Sequence, residues 1–440
     1  MIIPKGASGR IISKAAPRKG APHQVVPQSR TPNQVTPKVE SFEAGYVPVA
    51  WSWFVDEALP TWVKKKYSPQ ESWRDKPFSK EDSHFFFRGI EELSLLFTEE
   101  RTKNLPPYFQ HPKYRSSYLL YFLPLQAAKF SALFQMHAPA IEAALQDAEE
   151  KQGGVLRVAD FGAGPGTASL SLLLLILDLY RSIEKEPPQI EFYWFDTNRE
   201  IMEDGKALVR EVEESFGLLR GKVKVHTFVQ PWWKAPSYLP ESLSLSFLGH
   251  VLNESARTPE QATDSFWQTL IEKSHGGGVL WVEPAARSSS QRLSQLRDSF
   301  FERGWVEQEV QRVWGPCLHA GGCPLKEGRD WCHFSIPTHI PGKWFKTFSE
   351  ALGSERQWVK FSYFWLASSE YPSRKLNPRW RRVVSDPLSG IHGQSSQQVL
   401  LCEPDRVGRM NVGARSQIWR GDIVKVPVLD SPAPFKTRKS

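Results

Sequence analysis

The chain has 440 residues, more than one hydrophobic core usually organises, so two or three domains are expected. An apolar fraction of 40% with 17 Trp and 26 Phe excludes wholesale disorder, and a count of only 4 Cys argues against a disulfide-stapled secreted scaffold. The net charge of +8 suits an acidic partner, nucleic acid ahead of membrane, and no apolar run is long enough to span a bilayer.

Residues 1–39 carry seven Lys or Arg and neither Asp nor Glu. With so little to bury, residues 1–45 are expected to form a disordered basic tail. Such a tail reads as an arm that touches RNA, as an organelle transit peptide, or as a solvated extension. Pro4, Pro17, Pro22 and Pro27 limit any amphipathic helix to a short one, which weakens the transit reading. No secretory signal is visible. The bacterial cytoplasm is therefore the expected compartment, with the mitochondrial matrix as the alternative.

A helical domain is expected over 83–152. Ile90, Leu93 and Leu96 form one apolar stripe, and Tyr118, Leu119, Phe122, Leu125 and Phe130 form another. Between them Lys103–Arg115 is basic and aromatic, a candidate RNA contact. From Val155 the period changes. Strands are expected at Val155–Asp160, Ile190–Asp196, Val223–Phe228, Leu243–Leu248 and Gly278–Glu283, with helices between them. That alternation over 153–314 predicts an α/β fold with a parallel, doubly wound sheet. A cysteine-bearing loop follows at 315–335. A β-rich unit at 336–428 is expected from short strands at Lys360–Leu366, Arg381–Val384, Gln398–Cys402 and Asp422–Val426, antiparallel and barrel-like.

Asp160-Phe-Gly-Ala-Gly-Pro-Gly-Thr-Ala joins the first strand to its helix. Gly162, Gly164 and Gly166 allow a sharp turn and a close backbone approach to a ligand, and the helix start offers free N–H groups. Thr167 departs from the dinucleotide pattern, and no Gly-Lys-Ser/Thr phosphate cradle is present. The loop resembles motif I of class I (Rossmann-like) S-adenosylmethionine-dependent methyltransferases. In that family the acid that opens the loop helps hold the methionine portion, and the acid that ends the second strand takes the ribose hydroxyls. Asp160 and Asp196 match these two positions. The motif that holds an exocyclic amine at the fourth strand is absent. Gly249-His-Val-Leu-Asn-Glu254 stands there, and His250, Asn253 and Glu254 either contact ligand or cap the next helix. Glu283-Pro284, ending the fifth strand, has the same two readings.

Three of the four cysteines fall in one loop, Cys317-x5-Cys323-x8-Cys332, with Cys402 some 70 positions on. Irregular backbone lets thiolates converge on a metal. Four thiolates suit a [4Fe–4S] cluster, whereas zinc would recruit His319 and His333. Free buried thiols, behaving as small hydrophobes, are the third reading.

Pro316-Cys-Leu-His-Ala-Gly-Gly-Cys-Pro-Leu, then Asp330-Trp-Cys-His-Phe, resembles the Rsm22-type family of ribosomal small-subunit methyltransferase-like proteins. The resemblance spans roughly residues 83–425 and includes the glycine loop, the His-Val-Leu-Asn-Glu stretch and Trp419-Arg-Gly-Asp. It implies a class I methyltransferase domain between an N-terminal helical domain and a small C-terminal β unit. It also implies a [4Fe–4S] cluster on Cys317, Cys323, Cys332 and Cys402, with S-adenosylmethionine at Asp160, Gly162, Gly164, Gly166 and Asp196. The implied role is in small-subunit assembly and translation, with the small ribosomal subunit and its rRNA as partners. The chain is then a monomeric, membrane-free RNA-binding protein. Its alternatives are an active rRNA methyltransferase and a zinc-stabilised adaptor. The basic run Arg374–Arg382, built around Trp380, and Lys436, Arg438 and Lys439 add candidate RNA contacts.

Overall fold

The computed structural model describes residues 39–40, 49–99, 107–254, 260–306, 313–337, 340, 342–353, 358–368, 379–388, 396–413 and 418–426. Nearly all of the basic tail, residues 374–378 of the basic run and the last fourteen residues lie outside that set.

The helical layer begins earlier than residue 83. Val49–Trp53, Phe54–Ala58 and Leu59–Tyr67 run on as one rod, followed by Lys80–Glu99, the run Pro112–Met136, and Ala138–Glu150. Trp51, Phe54, Val55, Leu59 and Val63 are buried, at the three- and four-residue spacing of one helix face. They join the largest apolar cluster together with Leu170, Leu173 and Leu177 from the helix Thr167–Ser182. The carboxylate of Asp178 on that helix accepts the amide of Ala50, at 3.3 and 3.4 Å. The expected leucine-rich helix is thus covered by the sheet on one side and the helical layer on the other.

The strands, in chain order, are β1 (Val39–Glu40), β2 (Val155–Phe161), β3 (Gln189–Asp196), β4 (Val223–Val229), β5 (Leu243–Gly249), β6 (Ser274–Pro284) and β7 (Val313–Gly315). They continue with β8 (Phe334–Pro337), β9 (Trp358–Leu366), β10 (Trp380–Val383), β11 (Ser396–Glu403), β12 (Arg406–Gly413) and β13 (Ile423–Lys425). The main sheet has the order β4-β3-β2-β5-β6-β9-β7, with β8 also pairing β9. Strands β2 to β6 are mutually parallel, and β9 runs antiparallel to β6, β7 and β8. The chain winds outward from β2 through β3 to β4, then restarts on the other side with β5 and β6. The order therefore reverses between β2 and β5, and a crevice opens beyond their carboxyl ends, where ligands bind in sheets of this kind.

Two expectations are corrected. The strand at 358–366 belongs to the main sheet rather than to the C-terminal unit. Phe361 to Leu366 are all buried, as in a strand covered on both faces. The C-terminal unit is an open antiparallel sheet, β1-β13-β10-β11-β12, and not barrel-like. Val383, Val399, Leu401, Val412, Ile418 and Val424 form its small core, too little to fill a closed barrel. Among the described residues, no helix is long and apolar enough to cross a membrane.

Candidate cofactor site

The loop Gly162–Gly166 lies at the reversal point, and its three glycines have φ of 65°, 53° and 70° at positions 162, 164 and 166. The amides of Gly162 and Ala163 both donate to the carbonyl of Phe195, at 2.8 and 3.1 Å, which pins the loop to the end of β3. Gly166 is required by packing as well as by backbone shape. A Cβ there would stand 2.1 Å from Cζ2 of Trp194. At Gly164 the nearest atom to such a Cβ is Cε2 of Phe109 at 3.9 Å, so the loop keeps free space on that face.

Asp160, at the end of β2, is 3% exposed. Its Oδ2 accepts the hydroxyl of Ser169 at 2.7 Å and the Ser169 amide at 3.2 Å. The same hydroxyl oxygen accepts the indole N–H of Trp194 at 2.9 Å. Burial pushes the Asp160 carboxyl up to about 7; the bonds from Ser169 oppose the rise and the nearby Asp196 adds to it. Asp196 ends β3 on the other side of the loop and accepts the amides of Gly164 and Asn198, each at 2.9 Å. Its carboxyl is also raised by burial, against those backbone bonds. Asp160, Gly162, Gly164, Gly166 and Asp196 therefore lie on one loop and the two strand ends beside it, with the Asp160 carboxyl turned inward onto Ser169 and open space at Gly164.

Beside Asp196 a cleft of about 340 Å³ is bounded by the end of β4, including Thr227, Phe228 and Gln230, by Arg199 and Met202 on the next helix, and by Tyr238. The Gln230 amide donates to the carbonyl of Asp196 at 2.9 Å. Its side-chain Nε2 is buried and has no hydrogen-bond partner. An orphan donor in a cleft is a binding feature that reasoning from sequence missed, since Val-Gln-Pro-Trp at a strand end carries no pattern of its own.

Across the crevice β5 ends at Gly249, and His250 follows at φ 62°, a backbone state costly for a residue with a Cβ. Its amide donates to the carbonyl of Val282 at 2.8 Å, and its ring Nε2 lies 2.9 Å from Oε1 of Gln126 in the helical layer. Glu283 is fully buried and Oε1 accepts the amide of Leu252 at 2.9 Å, so it caps the short helix Val251–Glu254. The side chains of Asn253 and Glu254 lie outside the described residues.

The cysteine loop is held by a buried pair on the helix Arg287–Glu302. Arg297 donates to the carbonyls of His319 at 2.6 Å and Gly321 at 2.5 Å, and Asp298 accepts the Cys323 amide at 2.9 Å. The structure brings Cys402 of β11 to this loop. Cys323 and Cys402 share a small apolar cluster with Leu325 and Val384, and Cys332 packs against it. Cys317 packs against the neighbouring sheet core as well. Burial pushes the thiols of Cys323, Cys332 and Cys402 up, so they stay protonated, and Cys317 lies close enough to these three for its charge to raise each of them further. Burial lowers both His319 and His333 to about 4. His319 is already engaged, with Nδ1 3.1 Å from the Gly321 carbonyl and Nε2 3.3 Å from the Cys402 sulfur.

Among the described residues no group of three or more His, Cys, Asp or Glu is arranged to hold a metal ion. The expectations of a [4Fe–4S] cluster on Cys317, Cys323, Cys332 and Cys402, and of zinc in its place, are corrected on that ground. Cys323 and Cys402 pack as small apolar side chains that hold the cysteine loop against the C-terminal sheet.

The chain matches the family described as Mitochondrial small ribosomal subunit Rsm22 over residues 121–421. It belongs to the Rsm22 family. That description also corrects the expected bacterial cytoplasm, since it places the family's namesake in the mitochondrial small subunit. No curated protein matches the chain. Similar solved structures include a rRNA methylase from Streptococcus thermophilus, 9% identical, covering 54% of this chain and 96% of that one with a TM-score of 0.28. Another is a loganic acid methyltransferase, 11% identical, covering 54% and 73% with a TM-score of 0.28. A third is the plantazolicin methyltransferase, 8% identical, covering 66% and 98% with a TM-score of 0.26. Likenesses this distant say nothing of substrate. The helical N-terminal region, the mixed α/β core and the small C-terminal sheet are the architecture of this Rsm22 member.

Proposed function

We propose that this protein is an S-adenosylmethionine-dependent methyltransferase acting on rRNA of the small ribosomal subunit in mitochondria. The observation that carries the reading is the positive-φ glycine loop between two strand-end acids, Asp160 and Asp196, with open space at Gly164. The residues fit the group. Positive-φ glycines let backbone come close, and Gln230 offers an unpaired donor beside the second acid. S-adenosylmethionine, when bound, supplies an electrophilic methyl on a positively charged sulfur. Asp160 would receive the cationic amino acid end, and Asp196 would accept from ribose hydroxyls. Gln230 would bond the edge of the base. His250, set by Gln126 at the end of β5, would help orient the nucleotide that receives the methyl. The protein's contribution is then proximity and orientation. The family description, which names the small ribosomal subunit, supports rRNA as the substrate.

The decisive experiment is transfer of labelled methyl to immature small-subunit particles. The wild-type chain is expected to label the RNA, and Asp160→Ala to lose at least about a hundredfold in rate, as when a positioning contact is removed. Binding of particles without any transfer by the wild type would leave a non-catalytic RNA binder.

A pH effect follows from Asp160. Its folded carboxyl titrates at about 7 against about 4 in the unfolded chain, so the folded state binds the extra proton between those values. Its contribution to stability therefore falls as pH rises from about 4 to about 7. A bound cation favours the carboxylate, so S-adenosylmethionine affinity is expected to rise about tenfold from pH 6 to pH 8. Calorimetry in buffers of different ionisation heat reads the released proton. Asp160→Asn should flatten the profile, and a flat wild-type profile contradicts the assignment.

A further inference from the structure

The segment Tyr108–Gln110 comes from the helical layer, yet it reaches the glycine loop. The ring of Phe109 is half-buried and stands edge-on to Tyr118, with centroids 5.0 Å apart. Its edge is the nearest neighbour of the open face at Gly164, whose amide donates to Asp196. Arg115 fixes the segment, donating from Nη1 to the Phe109 carbonyl at 2.8 Å and to the Gln110 carbonyl at 3.2 Å. Its Nε donates to the Tyr67 hydroxyl at 3.2 Å and lies 3.4 Å from Oδ2 of Asp204. The side chain of Asp204 is 1% exposed. Its neighbour Gly205 packs so closely on the glycine loop that a Cβ would stand 2.2 Å from the Pro165 carbonyl oxygen. One turn of the helix Arg199–Ser215 therefore sets both the loop and the aromatic that faces it. The charges of this stretch are used internally, since Lys113 likewise pairs with Glu92 at 2.6 Å.

We infer that Phe109 is the cover of the candidate cofactor site and selects for the positive charge on the ligand's sulfur; this rests on the cofactor reading above. A sulfonium has no hydrogen to donate, so ordinary acceptors cannot recognise it. The electron-rich face of an aromatic ring attracts a cation without a hydrogen bond. Phe109 supplies such a ring beside Gly164; it presents its edge there and packs on Tyr108 and Tyr118, so taking the cation on its face requires the ring to turn when ligand binds.

The test compares S-adenosylmethionine with S-adenosylhomocysteine, which keeps the shape and loses the charge. Dissociation constants are measured by calorimetry for the wild type, Phe109→Ala and Phe109→Leu, with thermal melts to confirm folding. In Phe109→Leu, which keeps the apolar bulk, affinity for the sulfonium is expected to fall about fivefold and that for the thioether to stay within twofold. Phe109→Ala should weaken both, the sulfonium about fivefold more than the thioether. An unchanged ratio between the two ligands in both variants overturns the inference. Wild-type protein that binds neither ligand removes the cofactor reading, and this inference with it. Wild-type binding with no change of ratio removes only the role of Phe109.

Discussion

Gly166→Ala should destabilise the protein by about 2–4 kcal/mol, whereas Gly164→Ala, two positions away, should cost about 1 kcal/mol. Both residues have positive φ, 70° and 53°, so both substitutions carry the strain of a left-handed backbone. Only Gly166 adds a collision, with its Cβ 2.1 Å from the ring of Trp194. Trp194 cannot easily yield. It is fully buried in β3, and its indole N–H is committed to Ser169, which in turn bonds Asp160. Displacing the ring would therefore disturb the carboxyl at the same time, and ligand affinity should fall with stability. Gly164→Ala should instead leave the fold nearly intact and reduce ligand affinity by placing a methyl on the open face. Urea midpoints at constant m-value and calorimetric titration read both effects. Equal losses of stability for the two substitutions would mean that the contact with Trp194 does not matter.

The second large effect is expected at Asp204. It accepts from Lys66 and Tyr67 and lies 3.4 Å from Arg115, joining the first helical rod, the Phe109 segment and the helix behind the glycine loop. Asp204→Ala leaves those groups facing each other without the acid. Breaking one partner of a buried ion pair costs about 3–5 kcal/mol. Lys66 is partly exposed and recovers some hydration, so a value near the lower end is expected. Asp204→Asn keeps the shape and one acceptor and should lose roughly half as much. Thermal or urea denaturation checks the order Asp204, Asn, Ala. The Tyr67 hydroxyl, now held well above the usual tyrosine range by burial and by Asp204, should titrate lower in both variants. Equal losses for Asn and Ala would show that the charge of the acid, and neither its shape nor one remaining acceptor, holds the layers.

Much of the α/β core was legible because its signals are local. Val155–Asp160 and Leu243–Leu248 are apolar runs bounded by turn residues, and the glycines at 162, 164 and 166 mark a turn whatever surrounds them. The two acids could be named because the loop resembles motif I of class I methyltransferases and each acid stands at a strand end visible in sequence. What was missed depends on partners. Leu366 looks the same in sequence whether its strand joins a small antiparallel sheet or the main one; only pairing with Val279 and Val313 decides. The helical rod from Val49 was legible in the spacing of Trp51, Val55, Leu59 and Val63 but went unread beside the more obvious stripe at Ile90. Gln230 became informative only when the fold buried its amide without a partner. For the cysteines, convergence was foreseen and chemistry was not. A run of thiols in a loop reads alike whether they bind a metal or fill an apolar space, and only their arrangement in the fold, where no group of three or more among the described residues is set to hold a metal, decides.

The insertion of β9 between β6 and β7 sets an order of assembly. As the chain leaves the ribosome, β2 to β6 emerge first, and one edge of β6 stays open until residues 358–366 have been made. Through that interval the backbone of Val279–Pro284 has no neighbour on that side, and Trp281 lacks the cover of Phe364. Unpaired apolar edges of this kind recruit other chains. A nascent product stalled or cut before Trp358 would thus contain every element of the glycine loop and its two acids and still be aggregation-prone. Integrity of the proposed site is coupled to completion of the polypeptide.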